Sequence, residues 1–172
     1  MHNLILVKPD ETHIDELKSI VQEFKDAGDE FHGSSMLAEA ECIQTWIENC
    51  RLYENKSTLP NPNWVTGEQF LLIQEGETRI LGTLNLRHYL NEHLEENGGH
   101  IGYSIRPTER KKGLATQMTK LALEICRKQN IPRALLTCNK ENEASRRTIE
   151  ACGGILERES KDGKRLLYWI QC

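Results

Sequence analysis

Aromatic residues make up only 6% of this chain, and it has just five prolines and three methionines. More informative are the patterns that it lacks. No apolar run approaches the roughly 18 residues that a membrane-spanning helix needs. The opening stretch MHNLILVKPD has no signal-peptide layout, so a cytoplasmic protein without a membrane partner is expected. None of the six cysteines (Cys42, Cys50, Cys126, Cys138, Cys152 and Cys172) sits in a C-x-x-C pair. They fall mostly on apolar faces and read as reduced core thiols, not as a disulfide or metal framework. The six histidines show no ligand spacing, so no metal is expected. Neither a G-x-x-x-x-G-K-[ST] loop nor a G-x-G-x-x-G fingerprint occurs, and no aromatics interleave with basic residues. These absences weigh against a nucleotide-binding loop and against a nucleic-acid partner. There are no repeats and no low-complexity segments.

What is present is 172 residues, 38% hydrophobic and 28% charged, the makeup of one globular domain spanning residues 1–172. The net charge of −4 conceals an asymmetry. Residues 106–147 carry eleven Lys/Arg against four Asp/Glu, while the rest holds eleven basic and twenty-two acidic residues. A basic patch on an acidic chain indicates a local polyanion site. Its centre is His100 to Gln129. There a strand-like run Ile101–Ile105 is ended by Pro107. The basic loop Arg110-Lys111-Lys112-Gly113 follows, and it opens directly onto a helix whose apolar face is Leu114, Met118, Leu121 and Ile125. The free N–H groups of that helix start, with a glycine before them, form an anion site.

Along the chain, a strand is expected over Asn3–Lys8. A helix capped by Asp10 should run to about Gly28, with Ile14, Leu17, Val21 and Phe24 inward. Residues 29–36 read as a polar loop whose His32 and Ser34-Ser35 either touch a substrate or merely connect two helices. A second helix is expected over Leu37–Tyr53, then a Pro/Asn-rich loop over 55–67. Strands follow at Glu68–Gln74 and Arg79–His88, with a short helix near Leu94 and a Gly98-Gly99 turn into the Ile101–Ile105 strand. After the glycine-loop helix come a strand at Ala134–Cys138 and a helix from Glu143 to Cys152. A hairpin of Ile155–Glu159 with Arg165–Ile170 closes the chain around Lys161-Asp162-Gly163.

Two blocks carry a family resemblance. The R-x-x-G-x-A pattern Arg110–Ala115 follows the strand IGYSI. The run Asn142-Glu143-Ala144-Ser145 precedes Cys152-Gly153-Gly154. In this order the blocks resemble the GNAT superfamily of acyl-CoA N-acyltransferases, in the N-x-x-S form found among ribosomal-protein acetyltransferases. The resemblance implies an α+β GNAT fold in the order β-α-α-β-β-β-α-β-α-β-β. A mixed central sheet of about seven strands would be flanked by about four helices. It also implies acetyl-CoA as co-substrate. The pyrophosphate would rest on backbone N–H groups of Lys111, Lys112, Gly113, Leu114, Ala115 and Thr116, helped by the Arg110 and Lys111 side chains. Main chain at Ser104, Ile105 and Arg106 would hold the pantetheine arm and thioester from one side, and Asn139 and Asn142 from the other.

For the chemistry, His100 lies near the position where many relatives place a glutamate base, and an imidazole titrating near 6.5 suits that task. It reads equally well as a strand-mouth histidine bonded to nearby backbone. His88 is the alternative base, and Arg87 is suited to a substrate carboxylate. Seven residues after Asn142, many relatives carry a tyrosine acid. Here that residue is Ile149, and Ser145 would instead face the thioester sulfur. The expected activity is acetyl transfer to a primary amine by direct attack in a ternary complex. The acceptor would be a small amine, an amino acid or a protein N-terminus. A non-catalytic acyl-CoA-binding module is the competing reading, and a homodimer is left open.

Overall fold

A computed structural model describes residues 3–172. β1 (Leu4–Val7) leads through a short 3-10 turn into α1 (Ile14–Ala27), whose entry is fixed by a capping box between Asp10 and His13. Leu17, Ile20 and Phe24 form its buried stripe, with Ile14 and Val21 packed at its flanks. Gly28 ends α1 in the left-handed conformation, φ 67°. The second helix is shorter than its sequence pattern: Leu37–Glu39 is a separate turn, and α2 spans Ile43–Leu52. The break has a cause. The Trp46 indole N–H donates to the carbonyls of Ser34 and Ser35 at 3.1 and 3.0 Å. The preceding loop is thereby tied down before α2 begins.

β2 (Gly67–Gln74), β3 (Gly82–Arg87), α3 (Glu92–Asn97), β4 (Ile101–Ile105), α4 (Leu114–Lys128), β5 (Arg133–Asn139), α5 (Glu143–Ala151), β6 (Ile155–Glu159) and β7 (Arg165–Gln171) follow. Among the described residues the seven strands and their order match the sequence reading, and short α3 makes five α-helices. The sheet departs from the single mixed one expected. β1-β2-β3-β4 form one antiparallel sheet and β5-β7-β6 another. Among the described residues a lone bridge, Gly99 to Leu136, joins them. Beyond it β4 and β5 are unpaired and leave a wedge between them, and α4 is the crossover that connects the two.

Two apolar clusters sandwich the first sheet. α1 and α2 cover one face through Leu17, Phe24, Trp46, Leu71 and Ile73. α4 covers the other through Leu84, Leu86, Met118 and Ala122, and the same cluster continues through Ile149 of α5 to Leu136 and Tyr168 of the second sheet. No helix among the described residues is long and apolar enough to cross a membrane.

Candidate active site

The glycine loop delivers the geometry that its composition implies. Gly113 has φ 74° and caps α4 by backbone alone, and no acidic side chain occupies the first turn. A Cβ placed on Gly113 would meet nothing within 4 Å. Lys111 also takes a left-handed φ of 63°. The N–H groups of Leu114, Ala115 and Thr116 therefore stand without a side-chain cap at the positive end of a 15-residue helix. The side chains of Leu114 and Ala115 pack against the core. Lys112 pairs with Glu109 at 2.7 Å. Arg110 pairs with Asp29, reaches the Ile105 carbonyl at 3.3 Å and lies over the Phe24 ring. Among the described residues, Lys111 is the one cation of the three in no salt bridge.

The seam between the sheets follows from strand register. Arg106 N–H donates to the Leu81 carbonyl (2.9 Å) and Arg87 N–H to the His100 carbonyl (2.7 Å). In an antiparallel ladder this assigns the main chain of even-numbered β4 residues to β3 and turns that of Tyr103 and Ile105 outward. On β5, the Cys172 N–H to Pro132 carbonyl bond likewise assigns even-numbered residues to β7. Thr137 and Asn139 then face β4. Two rows of main-chain donors and acceptors thus confront each other across the wedge.

This corrects two residues. Ser104 bonds β3 with its main chain and does not line the wedge. Arg106 is committed to the fold. Only 2% exposed, it pairs with Glu16 at 2.8 Å and Glu23 at 2.6 Å and donates to the Ile80 carbonyl at 3.1 Å. Ile105 remains. Asn142 spends its side-chain oxygen capping α5, accepting the Ser145 N–H at 3.0 Å, and its N–H donates to the Asn139 carbonyl at 2.9 Å.

The histidines divide. His100 is 7% exposed, and its Nδ1 accepts the Leu135 N–H at 2.9 Å. The ring's lone pair is therefore engaged and its proton sits on Nε2. Burial, with the Arg87 charge nearby, pushes its pKa down to about 4. It is a neutral strand-mouth residue, not a base for an amine. His88 bonds Thr66 at 2.8 Å and Glu68 at 3.1 Å through its two nitrogens. It lines a polar hollow with Glu54 and Gln129 at the far end of α4, away from the wedge. Arg87 is not beside it. Its guanidinium donates to the Gly98 and Gly99 carbonyls at 3.5 and 3.1 Å and so closes the end of α3.

His32 pairs with Glu30 at 2.9 Å on the exposed 29–36 loop. Its neighbour Gly33 sits directly on β4, where a Cβ would fall 2.4 Å from the Gly102 carbonyl oxygen. Sequence reasoning missed Tyr103 altogether. Its hydroxyl meets Ser145 Oγ at 3.1 Å, whereas Ile149 is fully buried and faces the core. Period-two alternation in IGYSI was the available signal.

The chain matches the family model described as "Acetyltransferase (GNAT) domain" over residues 3–155. No curated protein matches it. Among solved structures it is similar to a Salmonella typhimurium acetyl transferase that modifies the N-terminal serine of ribosomal protein L7/L12. Identity is 18%, with 98% of this chain and 95% of that one covered, at TM-score 0.68. Mycobacterium smegmatis RimJ in complex with CoA-disulfide gives 18%, 98% and 82%, at 0.69. The microcin C7 self-immunity acetyltransferase MccE, with acetyl-CoA and AMP, gives 18%, 98% and 92%, at 0.68.

Proposed function

The chain belongs to the acetyltransferase (GNAT) family, and on that premise we propose that it moves the acetyl group of acetyl-CoA onto the terminal amine of a protein or peptide. The observation that carries this reading is the uncapped, glycine-led start of α4 at the open end of the wedge. That arrangement suits a ligand with a diphosphate at one end and an amide-bearing arm behind it. Lys111 and the N–H groups from Gly113 to Thr116 bind the diphosphate, and Arg110 joins them if it exchanges Asp29 for phosphate. Main chain at Tyr103, Ile105, Thr137 and Asn139 pairs with the amides of the arm. Asn142 fixes the first turn of α5, which brings Ser145 to the thioester end.

The acceptor enters from the side of the 29–36 loop, where Gly33 lies against the central strand and His32 precedes it on the exposed side. Its amine attacks the carbonyl directly. A C–N bond forms, the C–S bond breaks, and the electron pair leaves on sulfur. Peptide acceptors are supported by the ribosomal-protein substrates named for similar folds and by the acidic balance of the chain outside residues 106–147.

The test is thiol release from acetyl-CoA with short peptides bearing free N-termini, run beside lysine analogues and small amines, with product mass locating the acetyl group. Acetylation at the terminal amine is expected. Transfer confined to small amines would refute the peptide reading. Acetyl-CoA binding without release for any amine would leave the non-catalytic module.

A further inference from the structure

The tyrosine position of many relatives is Ile149, and its side chain is shut inside the core. A phenol nonetheless arrives at the start of α5 from a different element. Tyr103 stands on β4, half-buried, with its hydroxyl 3.1 Å from Ser145 Oγ. Ser145 itself is held by the Asn142 cap, which fixes its backbone and leaves the hydroxyl to the side chain's own rotation. One oxygen comes from β4, whose odd-numbered main chain faces the wedge, and the other from the first turn of α5.

Burial is the main influence on the Tyr103 phenol and raises its pKa. Ser145 and Thr148 on α5 oppose that shift, while Cys138 on β5 and Cys152 beyond α5 add to it. The phenol therefore stays protonated at neutral pH and is available as a donor. A hydroxyl that accepts one hydrogen bond becomes a better donor of the next.

We propose that Tyr103 and Ser145 form a two-hydroxyl chain whose last O–H is directed at the sulfur leaving from acetyl-CoA. Ser145 touches the sulfur; Tyr103 acts through it as a positioning residue. This rests on the wedge as donor site and deepens that reading. The chain transfers no proton. A buried phenol is a weaker acid than a thiol of ordinary pKa about 8.5, so the sulfur departs as a thiolate stabilised by hydrogen bonding, while the proton of the attacking amine goes to solvent.

The thiolate absorbance of CoA, titrated with pH in the bound state and corrected for the apoprotein, reads this directly. Wild type should hold bound CoA with its thiol more acidic than in solution. Tyr103→Phe, which keeps the main chain that the arm contacts, should raise the bound thiol by about one unit, roughly tenfold in acid dissociation, and weaken binding of the thiolate form by the same factor. Ser145→Ala should raise it at least as far, and the double variant no further, because the two act as one unit. A bound thiol that is unaltered in Tyr103→Phe, or in Ser145→Ala should the first variant not fold, would overturn the proposal while leaving the donor site intact. Failure of wild type to bind CoA at all would instead overturn the donor site, and the hydroxyl chain with it.

Discussion

At the scale of single residues, identity predicts less than the direction in which a side chain or lone pair is turned. His100 illustrates this. Its neighbourhood in sequence resembles that of a catalytic base, yet its one acceptor nitrogen is bound to Leu135. The consequence is a stability effect rather than a rate effect. In the native state its pKa is about 4, against roughly 6.5 unfolded. As pH falls below 6.5, the unfolded chain takes up a proton that the native one refuses, and native stability declines until about pH 4. Between pH 7 and pH 5 this amounts to about 2 kcal/mol. Denaturant unfolding at the two pH values should show that loss in wild type, and His100→Gln should largely abolish it. A histidine pKa that controls turnover and vanishes in the same variant would contradict the structural role. Arg106 teaches the same lesson. Its partners Glu16 and Glu23 lie some ninety and eighty residues earlier, beyond the reach of any local pattern.

At the scale of elements, the structure matches the reading from sequence where the pattern is contiguous. The strand, basic loop and helix start of residues 100–129 were legible because a glycine, a missing acidic residue and an apolar period all fall within thirty positions. Gly113→Asp should place a charge where the diphosphate sits and weaken acetyl-CoA binding by roughly ten- to a hundredfold, about 1.4–2.7 kcal/mol. The site is open, so the fold should survive with only local backbone strain. Calorimetric titration beside Gly113→Ala, which keeps the strain and omits the charge, checks this; equal affinity in the two variants would remove the loop from the site. What stayed hidden is anything set by register. Whether Ser104 or Ile105 faces the wedge depends on which residue of β3 pairs with which residue of β4, and a shift of one would exchange them. The early break in the second helix was equally invisible, because it depends on a Trp46 bond to a loop eleven and twelve residues away.

At the scale of the whole molecule, the organising fact is that two antiparallel sheets share one bridge. Their facing edges expose main-chain groups that would be paired in a continuous sheet. Hydrogen exchange should register this as a pattern of parity. The amides of Tyr103, Ile105, Thr137 and Asn139 should exchange faster than those of Ser104 and Cys138, and acetyl-CoA should slow the odd-numbered set selectively. Uniform slowing, or none, would be inconsistent with a ligand seated between β4 and β5. The charge asymmetry that was plain from sequence also gains a location at this scale, since the basic segment supplies one end of the wedge.

That single bridge makes the acyl donor something like mortar. A protein whose two sheets share a core but pair their backbones at a single bridge takes part of its cohesion from whatever occupies the gap, and the gain grows with the logarithm of ligand concentration, about 2.7 kcal/mol at a hundredfold excess over the dissociation constant. Domains of this size have only some 5–15 kcal/mol in all. When acetyl-CoA is scarce, a larger share of the molecules stands open to unfolding and proteolysis; when it is plentiful, they persist. The abundance of the enzyme would then follow its own fuel, with no regulator beyond the cleft that it already needs for chemistry.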